Sequence, residues 1–223
     1  MERLPLLQKF IDRITLKPRW LGAFIILAVA SVLILIVEYS FRAHQTASLL
    51  PPSAFDVDRL AAEQFLQTEL LTRCAFLPVR LFTGWISFAL VLYYTCVAFA
   101  PAQRIRFKQI FALEVHAEAI LVFGTLVAAV YAMLSTPAEG TIPIVPLSAA
   151  SFMPGINGLM LLFMNSVNLF QLLYVVALVY GIRQITGFGR VKSAFIVLIV
   201  WAVCAFTNIA MIKFVQERVH LLF

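Results

Sequence analysis

Five long apolar runs, separated by polar, basic or proline-rich stretches, set the pattern of this chain. Residues 159–180 and 193–212 carry no formal charge. Each run is about 20 residues, the length that crosses roughly 30 Å of hydrocarbon as a helix. The segment 181–192 between them holds Arg183, Arg190, Lys192, three glycines and no acid, which is the composition of a cytoplasmic hairpin turn. Upstream, 20–37 is an uncharged first span with Trp20 where an interfacial aromatic anchor would sit. The run 81–100 is a second span carrying Trp85, Tyr93 and Tyr94 and closed by Pro101, and 109–134 is a third. A basic region before an apolar core raises a cleaved signal peptide, whose core is usually about 7–15 residues. This core is longer and further spans follow it, so it reads as an uncleaved anchor.

The polar stretches give the orientation. Residues 1–19 form a basic cytoplasmic leader, with Arg3, Lys9, Arg13, Lys17 and Arg19 against Glu2 and Asp12. Leu4, Leu7, Phe10, Ile11 and Ile14 recur at helical spacing, so the leader either lies on the membrane as an amphipathic helix or is a solvated tail. The excursion 38–80 is broken by Pro51 and Pro52. After them, 55–73 reads as an amphipathic helix in the first outer loop, with Leu60, Phe65, Leu66, Leu70 and Leu71 apolar and Asp56, Asp58, Glu63 and Glu69 polar. It would rest on the bilayer or the bundle, or dock a partner. Pro137, Pro143, Pro146, Pro154 and Gly155 exclude a single regular helix over 135–157, an apolar outer segment expected to fold back over the bundle.

With the N-terminus inside, eleven Lys/Arg fall on inner segments and six on outer ones. The expected fold is therefore all-α: a leader over 1–19, then a five-helix transmembrane domain over 20–223, N-terminus cytoplasmic and C-terminus outside. Composition agrees, since 62% hydrophobic residues in a 223-residue chain exceed what a water-soluble fold of this size can hide. The net charge of +6 would suggest nucleic acid in a soluble protein. Here the cations flank apolar spans and read as orientation signals and anionic-lipid contacts, so no nucleic-acid partner is expected. Cys74, Cys96 and Cys204 lack metal-ligand spacing and read as small buried residues.

The third span holds the least expected groups. Glu114 and Glu118 share a helix face, while His116 points elsewhere. Either the helix starts near Phe107 and buries the carboxylates, or a cytoplasmic turn carries them and the span begins near Val115. The pair would be a proton or cation site or a partner contact, or else would lie at the inner interface neutralised by Arg104, Arg106 or Lys108. His116 as a ligand or relay would need a second ligand-rich element, and His44 and His220 fall on the outer side; no metal is expected. Asn165, Asn168 and Gln171 form a polar stripe in the fourth span, with Asn208 in the fifth. Such a stripe serves interhelical hydrogen bonding or, in the less favoured reading, solute binding. Phosphate-loop, zinc-protease and serine-hydrolase motifs are absent, so neither an enzyme nor a cofactor is expected.

Several passages resemble the Yip1 family of five-helix membrane proteins. They are the Pro18-Arg-Trp20 approach to the first span, Phe107-Lys-Gln-Ile-Phe111 at the third, and Asn168-Leu-Phe170, Gly181-Ile-Arg183 and Lys192-Ser-Ala194 through Trp201. The resemblance implies an N-in, C-out five-helix fold. For eukaryotic members it also implies Rab-GTPase binding and vesicle traffic, but their acidic-aromatic N-terminal motif is absent, and Val115-His-Ala-Glu118 replaces their third-helix segment. These departures point to the bacterial branch, and the multi-pass chain would then lie in the inner membrane. The expected function is non-enzymatic binding of membrane-protein or lipid partners, self-association included. The alternative is a small transporter or transport subunit with a polar intramembrane site at Glu118, Asn165, Asn168 and Gln171.

Overall fold

The computed structural model describes residues 18–49, 56–99, 104–134, 147–153 and 158–220. The leader through residue 17, the Pro51-Pro52 break and most of 135–157 lie outside the described residues. Helix α1 covers Leu21–Leu49, α2 Asp56–Phe99, α3 Phe107–Leu134, α4 Gly158–Ser166, α5 Leu169–Thr186 and α6 Arg190–His220. A short 3-10 turn, Ala149–Phe152, precedes α4. Among the described residues, five helical segments are long and apolar enough to cross a membrane: Leu21–Phe41, Gln67–Phe99, Phe107–Leu134, Leu169–Thr186 and Arg190–Met211.

Hydroxyls within these segments need partners where water is scarce, and several find them one turn back, although the buried Ser193 hydroxyl has none among the described residues. Ser40, Thr83, Thr95, Thr125 and Thr207 donate to Ile36, Val79, Val91, Leu121 and Val203 carbonyls at 2.8–3.0 Å. Each side chain is thereby satisfied within its own helix.

Three boundaries differ from the sequence reading. The segment expected as a separate amphipathic helix is the first part of α2, which runs for 44 residues with Pro78 inside it. At 1.5 Å per residue that is roughly 66 Å, about twice the hydrocarbon thickness. Proline removes one donor, but the helix carries on through it and through Gly84 as far as Phe99.

The fourth span is not one helix over 159–180 but two, interrupted at Val167 and Asn168. Asn168 is extended (φ −123°, ψ 168°), and its Oδ1 accepts the Gln171 backbone N–H, so it caps the N-terminus of α5. The backbone released by the interruption is used by the upstream segment: Ala149 N–H donates to the Val167 carbonyl at 2.8 Å, and Leu169 N–H to the Leu147 carbonyl at 3.2 Å.

The turn expected over 181–192 is shorter, because α5 continues to Thr186. Gly187 ends it in the left-handed region (φ 66°), where a side chain would be strained, and its N–H donates to the Arg183 carbonyl. Lys192 then ties the turn to α2, with Nζ donating to the Phe99 carbonyl at 2.9 Å and lying 4.2 Å from the Phe188 ring centroid. A cation on the last residue of α2 also complements that helix's dipole.

Helix α3 is central, packing against α1, α2 and α5, and every residue from Ile110 to Val115 is buried. Its N-terminal end is gripped by aromatic edges: Trp20 meets Phe111 with centroids 5.0 Å apart and Phe82 meets Phe111 at 6.1 Å, while Phe24 of α1 meets Trp85 of α2 at 5.5 Å. Edge-to-face pairs of this kind contribute about 0.5–1.5 kcal/mol each beyond burial. Small residues bring α3 and α5 together. A Cβ on Gly124 would strike Phe170, and one on Gly181 would strike Leu113. The two contacts have equal spacing on the two helices and run in opposite directions, which fixes an antiparallel register through close backbone approach.

Candidate functional site: a buried carboxyl centre between four helices

The start of α3 at Phe107 decides between the two geometries open in the sequence. Glu114 lies roughly 10 Å along the helix from Phe107, and Glu118 one turn further. Glu114 is 1% exposed and Glu118 is half-buried.

Among the described residues Glu114 is buried while Arg104, Arg106 and Lys108, the cations expected beside it, are all exposed. Its described partner is Tyr174 of α5, whose hydroxyl donates to Glu114 Oε1 at 2.6 Å, both groups being buried. Glu114 Oε2 is buried without a hydrogen bond. Trp85 of α2 supplies a side-chain hydrogen bond to Glu118, and Cys204 of α6 lies within electrostatic reach of Glu114. The Phe88 ring, 6.1 Å from Tyr174, covers the tyrosine. Four helices therefore meet at two carboxyl groups, with neutral donors against them.

His116 is half-buried and places Nδ1 2.7 Å from the Ala112 carbonyl oxygen, so that nitrogen donates to its own helix. Among the described residues no group of three His, Cys, Asp or Glu is placed to hold a metal ion.

Asn165, Asn168 and Gln171 belong elsewhere. Asn165 Oδ1 accepts from the buried Ser148 hydroxyl at 3.2 Å, and Asn168 Nδ2 donates to the Asn165 carbonyl at 3.3 Å. Gln171 takes part through its backbone N–H. The stripe expected to bond across helices instead builds the interruption between α4 and α5 and pins residues 147–152 onto it. Asn208 is exposed.

Tyr174, Trp85 and Ser148 were not singled out by sequence. Tyr174 had a legible signal, since Tyr174, Leu178, Gly181 and Ile182 recur at helical spacing and all four are buried. Trp85 had none, because a tryptophan in an apolar run reads equally well as an interfacial anchor.

The Yip1 domain profile matches residues 6–211, nearly the whole chain and all five membrane-crossing segments. The chain belongs to the Yip1 family. No curated protein and no solved structure matches it. It is thus an integral, multi-pass membrane protein of the Yip1 kind. The passages that carry the Yip1 resemblance lie at structural joints. Phe107 and Phe111 stack at 5.8 Å at the start of α3, Asn168 caps α5, Gly181 admits Leu113, and Lys192 holds the end of α2.

Proposed function

We propose that this Yip1 protein is a non-enzymatic membrane component that works by binding other membrane proteins or lipid at the outer surface of its bundle. Its N-terminus would lie in the cytoplasm and its C-terminus on the opposite side. The observation that carries the reading is the sealing of Glu114 within an unbroken buried stretch of α3, from Ile110 to Val115. Polar groups turned inward and packed over serve the cohesion of the helices. The outward faces are left apolar, as Ile26 on α1 and Phe195 and Phe206 on α6 illustrate. Those faces are the surface available to partners.

The transport reading has less support. It needs Glu118, Asn165, Asn168 and Gln171 along one cavity, whereas Asn165 and Asn168 are engaged with Ser148 and the start of α5.

The test is affinity purification of the tagged protein from native membranes in mild detergent, with proteins and lipids identified by mass spectrometry. A stoichiometric protein or a tightly retained lipid is expected. Purification alone, together with solute uptake in proteoliposomes that disappears in Glu118→Gln, would overturn the proposal in favour of transport.

A further inference from the structure

Among the described residues, one end of the bundle gathers cations from three helices. Arg104 and Arg106 lead into α3, Lys108 stands in its first turn, Arg183 is in the last turn of α5, and Arg190 and Lys192 open α6. All six are exposed. They share one end because Lys192 reaches the Phe99 carbonyl at the close of α2, and because Gly181 packs on Leu113, which sets the last turn of α5 beside the first turns of α3. Residues 100–113 and 181–200 contain no Asp or Glu, so nothing in these segments offsets the charge. Lys192 is occupied by the Phe99 carbonyl and the Phe188 ring, which leaves the arginines as the groups best shaped for a phosphate fork.

Directly along α6 from these cations runs an apolar stripe. Val191 is 84% exposed, and Phe195, Leu198 and Ile199 follow it at helical spacing, all exposed. The first backbone N–H groups of α6 lie beside Arg190 at the head of the stripe, where the helix dipole favours an anion. A cationic rim over an uncovered apolar stripe matches an amphiphile with an anionic head and acyl tails. Free phosphate would use only the rim.

We propose that this end of the bundle is a binding site for an anionic phospholipid, its phosphate held by Arg183 and Arg190 at the start of α6 and its chains lying along Val191, Phe195 and Leu198. The proposal rests on the partner-binding reading above and names one lipid class and one place for it. Each cation near a membrane surface contributes about fivefold to anionic-lipid affinity, so removing two should cost on the order of tenfold or more.

The experiment uses the full chain, delipidated in detergent, with phosphatidylglycerol titrated against phosphatidylcholine of the same acyl composition and binding read by native mass spectrometry. The wild-type chain is expected to prefer phosphatidylglycerol. Arg183→Gln combined with Arg190→Gln should lose that preference by about tenfold or more, while the Lys double variant at the same positions, which keeps the charge but not the fork, should lose it only in part. Arg73→Gln, a charge loss on α2 away from this end, should change nothing. No preference in the wild type, an unaffected Gln variant, or an equal loss in Arg73→Gln would each overturn the site. A Gln variant that fails to fold is recognised by its own thermal unfolding, and the Lys variant then decides, because a partial loss there with an unchanged Arg73 control supports the site and no loss overturns it. A protein partner retained on purification would survive any of those failures, so the site and the broader reading fall separately.

Discussion

Replacing Tyr174 with phenylalanine removes one oxygen from the bundle and should loosen it measurably. The tyrosine hydroxyl lies 2.6 Å from Glu114 Oε1, both side chains are buried, and the other carboxyl oxygen already lacks a partner. Without the hydroxyl, neither Glu114 oxygen keeps a described donor. Leaving a buried acceptor unpaired costs about 1–3 kcal/mol in soluble proteins. Interhelical hydrogen bonds in membranes average about 0.6 kcal/mol and reach about 1.7. The carboxyl group and its seclusion place this bond in the upper part of the membrane range, at about 1–1.7 kcal/mol. A double-mutant cycle isolates it: Tyr174→Phe, Glu114→Leu and the pair, each unfolded by denaturing detergent in mixed micelles and followed by helicity. The pair should be more stable than the summed single effects allow, with a coupling of about 1 kcal/mol or more. A coupling below about 0.3 kcal/mol would refute the reasoning, because the two groups would then not depend on each other.

Other perturbations probe other joints. Gly124→Ala should destabilise by about 1–3 kcal/mol in the same assay, since its Cβ meets the base of the Phe170 ring, whereas Gly84→Ala, with open space around it, should be neutral or slightly stabilising. Asn168→Ala removes the cap of α5 and should cost about 0.5–2 kcal/mol, and Asn168→Asp should restore most of it. A cysteine at Gly189, in the exposed α5–α6 turn, should react with a membrane-impermeant maleimide only from the cytoplasmic side; reaction from the other side alone would invert the orientation.

The membrane-crossing segments were legible because lipid imposes a length and a composition that few other environments require, and each expected span overlaps a helix in the structure. The joints were less legible, for identifiable reasons. In sequence, Asn168 belongs to a stripe because its spacing from Asn165 and Gln171 suits a helix. The cap at that position depends on Leu147 and Ser148 arriving from a distant segment, which local spacing cannot reveal. Gly187 carries the end of α5, but it sits among Gly181 and Gly189, and the sequence does not say which glycine adopts the left-handed conformation. Glu114 and Glu118 were recognisable as unusual, and their shared face followed from spacing. What lay against them depended on how α2 and α5 pack on α3. The nearby cations were the obvious sequence partners, yet Tyr174 and Trp85 take the place. The separate outer helix was expected because its polar face differs from the span after it. Continuity of α2 through Pro78 is a backbone property that the change of surroundings concealed.

If this Yip1 protein works from its outer surface around a sealed interior, water does not reach the carboxyl centre, and solvent access beside it reports on that seal. Ala89 is fully buried on α2, one turn from Trp85. With Cys74, Cys96 and Cys204 replaced, Ala89→Cys is exposed to a small charged methanethiosulfonate in native membranes, before and after denaturation. No modification is expected in the folded protein, and full modification once it is unfolded. Rapid modification of the folded protein would place water in the core and rule out a sealed interior.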